Sequence, residues 1–385
     1  MADFDLAIVG CGPAGALAAS TAARAGLSTI LVEAQDLPAK KACAEAVPSQ
    51  ALQDVNISSV NRIILNKIDG ALLFSPSEKI PLQCRGSGFI IDKERVLSII
   101  CEEAESYGAK LRFNTHVVRV NRKGSEVEIE SNGKMPGRFT ANFLIGADGT
   151  SSLVSRQCFN RSYQETATAV EYIVDRADLL QDGWLEIYVG QKKAPKGYAW
   201  IFPRADSLNV GVGVKGSDAR LFLDRFIQMR SKRFSVSKRI KYCGATVPIG
   251  GQIEQITDGR VILAGDAAGQ VFALTGAGIH TSLQAGRAAA KAVVQGFHMS
   301  NPEEYVAAQY LHEVNSLFGR ELRNSRRALK LFWKLSDKDI DGLSKVLEGT
   351  QIVDLAMGGN PRNLLAAFLK HPFIAMNIMT RIVGS

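Results

Sequence analysis

Residues Phe4–Val9 form a short, largely apolar run, and a glycine-rich turn separates it from an alanine-rich stretch, 13–25, that Gly26 ends. A second apolar run, 28–32, ends in Glu33. Short runs without polar alternation predict buried strands, and the alanine-rich stretch closed by glycine predicts a helix. Strand, helix and strand in that order predict a βαβ unit, hence a parallel sheet with a right-handed crossover.

Beyond a loop at 34–48, the runs 62–65, 71–74 and 80–83 predict antiparallel strands, separated by the turn-formers Asp69-Gly70 and Ser75-Pro76. Asp92 caps a predicted helix through Tyr107, whose Val96, Ile99 and Ile100 share one face. Alternation at 117–120, 127–130 and 139–144 predicts a β-meander leading into the apolar strand before Gly146. Strands dominate 166–247, with one helix predicted at 218–232. A strand at 261–264, a glycine-rich loop and an alanine-rich helix to Gln295 return to the first domain, and the chain is helical from Pro302 onward.

A chain of 385 residues exceeds what one core holds. The expected division is α/β: a discontinuous first domain with a parallel sheet (1–58, 87–160 and 250–298), a second domain built on an antiparallel sheet (59–86 and 161–249), and a C-terminal helical region (299–385). The net charge of +8 favours anionic partners, but the basic residues are scattered and the densest runs, 220–241 and 320–334, read as solvated helix faces. No nucleic-acid partner is expected. Six dispersed cysteines, Cys11, Cys43, Cys84, Cys101, Cys158 and Cys243, form no CxxC or Cys/His pattern, so no metal site and a reducing cytoplasm are expected. The sequence starts without a basic, then apolar, leader pattern. The most apolar long window, 364–383, is interrupted by Lys370, His371, Pro372, Asn377 and Arg381 and predicts core packing or a surface-lying segment rather than a membrane span.

The first constellation with chemistry is Gly10-Cys11-Gly12-Pro13-Ala14-Gly15 between strand and helix, with Glu33 18 residues after Gly15. Gly10 permits the tight turn, Gly12 close approach of a pyrophosphate, and Gly15 packing of the helix on the strand, while Glu33 suits ribose hydroxyls. That combination predicts a dinucleotide. Two further strand ends join a carboxylate to glycine: Gly146-Ala147-Asp148-Gly149 and Ala264-Gly265-Asp266-Ala267.

In this order the three pieces resemble the FAD-binding superfamily typified by p-hydroxybenzoate hydroxylase, over roughly residues 1 to 300. The resemblance implies a Rossmann-like FAD-binding domain. Asp148 and Gly149 would belong to the cofactor site, Gly265 and Asp266 would hold the ribityl chain, and Gly276, Ala277, Gly278 and Ile279 would open a helix toward the flavin pyrimidine. It also implies cofactor contacts from Ala34, Arg95 and Val118. No second GxGxxG follows a strand, so electrons are expected from a transiently docking carrier, whether reduced ferredoxin, NAD(P)H or another.

Pro195-Lys196-Gly197-Tyr198-Ala199-Trp200-Ile201-Phe202-Pro203 places three aromatic residues on one face of a strand. The run matches PxxYxWxFP and resembles the geranylgeranyl reductase family. Lys41-Ala42-Cys43-Ala44-Glu45-Ala46 resembles that family's CGEG-like loop, with alanines where glycines are usual. The resemblance implies that Cys43 and Ala44 approach the flavin, that Cys43, Tyr198 and Trp200 act in catalysis, and that Tyr198, Trp200 and Phe202 line the substrate. It further implies reduction of isolated double bonds in an isoprenoid lipid, and the basic surface and apolar C-terminal helices would suit a substrate taken from an anionic lipid layer. A flavin monooxygenase and a non-catalytic prenyl-binding carrier are the competing expectations for this fold.

Overall fold

The computed structural model describes residues 1–36, 41–53, 62–78, 81–161, 165–175, 179–234 and 238–360. The window at 364–383 and residue 80 of the expected third strand lie outside them. Two eight-stranded sheets organise the described chain.

The first sheet runs Lys110–Arg112, Thr29–Val32, Phe4–Val9, Gly137–Gly146, Val261–Leu263, Thr257–Asp258, and the hairpin of Thr115–Lys123 and Glu126–Gly133 joins it through Gly137–Gly146. Lys110–Arg112 through Val261–Leu263 pair in parallel. Every residue of Thr29–Val32 and Val261–Leu263 is buried, the reason those strands read as unbroken apolar runs. Helix Pro13–Arg24 packs against both Lys93–Ser106 and Ile279–Gly296. Its crossing with the latter depends on Gly286, where a Cβ would stand 1.9 Å from the Ala14 carbonyl oxygen. Because Val9 and Leu263 both register with Gly146, the three motif-bearing strands end along one sheet edge.

The second sheet runs Arg239–Pro248, Thr166–Asp175, Ser207–Val214, Tyr198–Pro203, Trp184–Val189, Ile64–Phe74, Leu82–Ile91, Ala46–Pro48. All neighbours are antiparallel except Trp184–Val189 against Ile64–Phe74. Two local expectations change here. The 34–48 loop contributes the edge strand Ala46–Pro48, and Asp69-Gly70 does not end a strand: Ile64–Phe74 runs through it with a register shift between Ile68 and Gly70. At Gly70 a Cβ would lie 2.8 Å from the Trp184 ring and 2.6 Å from the Cys84 carbonyl, so the turn-prone pair serves as a bulge that lets tryptophan close on the backbone.

Helices Pro302–Val314 and Arg320–Phe332 are joined by a π-helical turn, Asn315–Gly319, and are followed by Asp337–Leu343 and Gly349–Ala356. The Ser325 hydroxyl accepts the Leu274 amide, and Trp333 Nε1 donates to the Lys196 carbonyl at 2.9 Å, so this rod braces turns from both sheets. Among the described residues no helix is long and apolar enough to cross a membrane.

Candidate active site

At the shared edge of the first sheet, the glycine loop is held by main-chain contact. Gly10 adopts φ +98°, and a Cβ there would come 2.4 Å from the Ala147 carbonyl oxygen; a Cβ on Gly15 would come 1.8 Å from the Gly10 carbonyl oxygen. Gly12, by contrast, has nothing within 4 Å of its missing Cβ. It caps helix Pro13–Arg24 without any side-chain partner, the setting in which a helix start takes an anion. Glu33 stands at the end of the second strand, accepting Cys11 N–H at 2.6 Å and Gln35 N–H at 2.8 Å. Ala34 lies beside it in the chain.

The other two strand ends close on the same spot. Gly265, at φ +67°, lies where a Cβ would be 3.1 Å from the Ala14 Cβ. Asp266 comes within 3.6 Å of the missing Cβ of Gly278, which caps helix Ile279–Gly296 with no side chain. Gly276 takes φ +69°, and Ala277 pairs with Phe272 across that turn. Thus Asp266 and Ile279 sit at one helix N-terminus, whose positive end stabilises negative charge. Gly149 is left-handed and open, with nothing within 4 Å, whereas Asp148 is engaged locally: it accepts the Ser152 hydroxyl at 2.5 Å and the Leu153 amide at 2.7 Å at the start of helix Leu153–Phe159. Burial pushes the Asp148 carboxyl up despite those hydrogen bonds.

Two further expected cofactor contacts have local partners in this structure. The Arg95 guanidinium pairs with Glu102 of its own helix at 3.5 Å. Val118 lies in the outer hairpin, unpaired where the ladder shifts register between Val117 and Arg119, with its carbonyl accepting Gln157.

Cys43 lies where the two sheets meet. Its amide donates to Glu171 Oε1 at 3.1 Å and its carbonyl accepts Asn209 Nδ2 at 3.0 Å, while Asn209 Oδ1 accepts Trp200 Nε1 at 2.8 Å. The loop's left-handed residue is Glu45, φ +61°, so neither Ala44 nor Ala46 needs a glycine-only conformation. Glu45, itself buried, is fixed there by an ion pair with the part-buried Arg204. Lys41 reaches back to Asp266 at 2.5 Å, and the buried Lys93 donates to the Lys41 carbonyl at 2.7 Å. Burial pushes the Cys43 thiol up, against the nearby charges of Lys93 and Lys41, so it is a neutral thiol at pH 7.

Tyr198, Trp200 and Phe202 do share a face: their ring centroids are spaced 5.7 and 6.4 Å apart. They cluster with Ile68, Ile90, Ala44 and Ala46, while Ala199 and Ile201 point into the opposite core. Trp200 and Phe202 are buried, and the indole lies across Gly211, where a Cβ would meet it at 2.0 Å. Tyr198 donates its hydroxyl to the Thr275 carbonyl, which ties the aromatic strand to the Asp266 side of the site; burial pushes its phenol up to about 12. Sequence reading missed Glu171, Lys93, Asn209 and Arg204. The signal for Glu171 was present: a carboxylate in the middle of the strand Thr166–Asp175, between Val170 and Tyr172.

Residues 5–163 match the FAD dependent oxidoreductase family model, and residues 165–247 match the geranylgeranyl reductase catalytic domain. The chain is thus similar to FAD-dependent oxidoreductases over its first part and to geranylgeranyl reductases over the second sheet. It is 28% identical over 365 residues to a digeranylgeranylglycerophospholipid reductase of Methanocaldococcus jannaschii, covering 91% of this chain and 93% of that one. A similar reductase of Methanopyrus kandleri is 28% identical, with 92% and 93% covered. A geranylgeranyl bacteriochlorophyll reductase-like structure from Thermoplasma acidophilum shares the fold with TM-score 0.85, at 23% identity, over 98% of this chain and 99% of that one. A flavin-dependent brominase shares it at TM-score 0.74 and 17% identity, covering 92% and 94%.

FAD is the cofactor of this chain. The residues present fit it: an open glycine at an uncapped helix start, a carboxylate at the end of the next strand, and a second uncapped helix N-terminus beside Asp266.

Proposed function

We propose that this FAD-dependent oxidoreductase saturates isolated double bonds in geranylgeranyl-type lipid chains. The observation that carries the reading is the meeting of Cys43, Trp200 and Tyr198 at the junction of the cofactor edge and the second sheet, through Asn209 and the Thr275 carbonyl. It is supported by the names of the relatives, digeranylgeranylglycerophospholipid reductases. The proposed division of labour assigns the first sheet and its helices to the cofactor, the second sheet to the substrate, and the C-terminal helices to bracing.

When bound, reduced FAD supplies a hydride. In this reading Gly10, Gly12, Pro13, Ala14 and Gly15 bind its pyrophosphate, Glu33 and Ala34 the adenosine side, and Gly265 and Asp266 the ribityl chain. Because Lys41 occupies Asp266 here, ribityl hydroxyls must share or displace that cation. Gly276, Ala277, Gly278 and Ile279 would present amides to the flavin ring, and Cys43 and Ala44 would approach it. Asp148, Gly149, Arg95 and Val118 complete the set from further out. An unactivated alkene offers no carbonyl to polarise, so charge developing on carbon is stabilised by the faces of Trp200 and Tyr198, while Phe202 excludes water.

A docking carrier delivers the electrons, and the basic surface suits substrate taken at an anionic lipid layer from the cytoplasmic side. Anaerobic incubation of the dithionite-reduced protein with geranylgeranyl glycerophospholipid, followed by mass spectrometry, tests the reading. Products heavier by pairs of hydrogens are expected. Unchanged lipid with oxygen consumption on an aromatic substrate would replace the reading with the oxygen-using chemistry of other proteins of this fold.

A further inference from the structure

Glu171 is nine-tenths buried in the second sheet, and its two carboxyl oxygens differ. Oε1 accepts the Cys43 amide at 3.1 Å; Oε2 is fully buried and without a hydrogen-bond partner. An ionised carboxylate in that setting would leave a charged oxygen uncompensated, which costs far more than a neutral O–H. Burial is the dominant influence on this carboxyl and raises it above its ordinary 4.5, although the Cys43 amide, Asn209 and the charges of Lys93 and Lys241 pull the other way. The titratable groups facing it are Cys43 on the loop, Lys93 on helix Lys93–Ser106, and Lys241 and Cys243 on the strand Arg239–Pro248.

Its position relative to the aromatic strand is fixed by register. Glu171 pairs with Gly211, and Gly211 pairs with Trp200, so the three form one row across the sheet. Gly211 has no side chain, and the Trp200 indole fills the space over it. A carboxyl and an indole face are thus neighbours on the face that also receives Cys43.

We propose that Glu171 is the proton donor for alkene reduction, its unpartnered Oε2 delivering the proton to one alkene carbon held against Trp200. This rests on the double-bond-reductase reading. The Glu171 O–H bond breaks as a C–H bond forms with the alkene π pair. The other carbon accepts a hydride from reduced FAD, which is thereby oxidised by two electrons, and the carboxylate regains its proton from water. Burial serves this role twice, by favouring the protonated acid and by making its conjugate base avid for the return proton.

Glu171→Gln in the full-length holoprotein tests it, because the amide oxygen still accepts the Cys43 amide while the acidic proton is gone. A residue that merely positions the Cys43 loop would tolerate that change. We expect E171Q to retain FAD absorbance and melting temperature but to lose turnover of geranylgeranyl lipid by about 10²-fold or more, the usual contribution of a general acid. Infrared difference spectra at pH 7 should show the carbonyl stretch of an un-ionised carboxyl in wild type and not in E171Q. Wild-type kcat should fall as pH rises through the carboxyl's raised pKa, a limb missing from E171Q. Turnover of E171Q within about threefold of wild type, or no such carbonyl band, overturns the assignment while leaving the reductase reading intact. Wild-type protein that leaves the lipid unchanged overturns the reading itself, and the assignment with it.

Discussion

At the cofactor edge the decisive contacts are between main-chain atoms: the missing Cβ of Gly10 faces the Ala147 carbonyl, that of Gly15 faces the Gly10 carbonyl, and that of Gly286 faces the Ala14 carbonyl. Around Cys43 the decisive contacts use side chains from distant parts of the chain. Glu171 is 128 residues from Cys43, Asn209 is 166 from it, Arg204 is 159 from Glu45, and Asp266 is 225 from Lys41. Backbone occupies fixed space and cannot be repacked, so the first region rejects an added atom at Gly10, Gly15 and Gly286. Side chains can be exchanged if their partners change too. The second region should therefore fail residue by residue and be rescued in pairs, whereas the first should fail where one of those three glycines is lost.

The largest effect that sharpens this contrast is expected at Arg204→Ala, which leaves the Glu45 carboxylate buried without its cation. A loss of about 3–5 kcal/mol, read from denaturant unfolding, is expected, and Glu45→Gln in the same chain should restore much of it. An additive double variant would show that the Cys43 loop does not depend on this pair. Next comes Gly10→Ala, where left-handed backbone and the Ala147 carbonyl both oppose a methyl group. The expected cost is about 1–3 kcal/mol, seen as faded flavin absorbance after gel filtration, with no second-site change able to recover it. Full retention of FAD would remove the case for a backbone-built cradle.

The pH dependence of stability gives a smaller effect. Since Glu171 is raised above its ordinary 4.5 in the folded protein, its stabilising contribution is complete below that value and is lost as pH rises through the raised pKa. Unfolding free energy of wild type relative to E171Q should fall across that window by at most about 1.4 kcal/mol per pH unit, and a flat difference would mean that the carboxyl is ionised when folded. The smallest is Tyr198→Phe, which deletes the link to the Thr275 carbonyl and should cost about 1 kcal/mol with flavin spectra unchanged. A much larger loss would mark that hydrogen bond as a main tie between the two regions.

The order of the motifs was readable because each is local. Gly10 through Gly15, Asp148-Gly149 and Gly265-Asp266 are contiguous pieces at strand ends, and a parallel sheet brings such ends to one edge. The aromatic alternation of Tyr198, Trp200 and Phe202 was readable for the same reason, since a strand sends every second side chain to one face. Asp69-Gly70 misled because a turn-forming pair and a bulge share the same composition; which one forms depended on Trp184, more than a hundred residues later, needing the space above Gly70.

By itself the sequence determined the elements, the cofactor cradle and the aromatic face, because helix and strand periodicity and glycine's missing Cβ act within a few residues. Only the tertiary structure decided that Asp148 is engaged at its own helix start, that Arg95 turns to Glu102, and that Glu171 and Arg204 converge on the Cys43 loop. Those outcomes depend on which carboxyl loses its water and which cation it meets, and burial and partnership are set by distant strands coming into register.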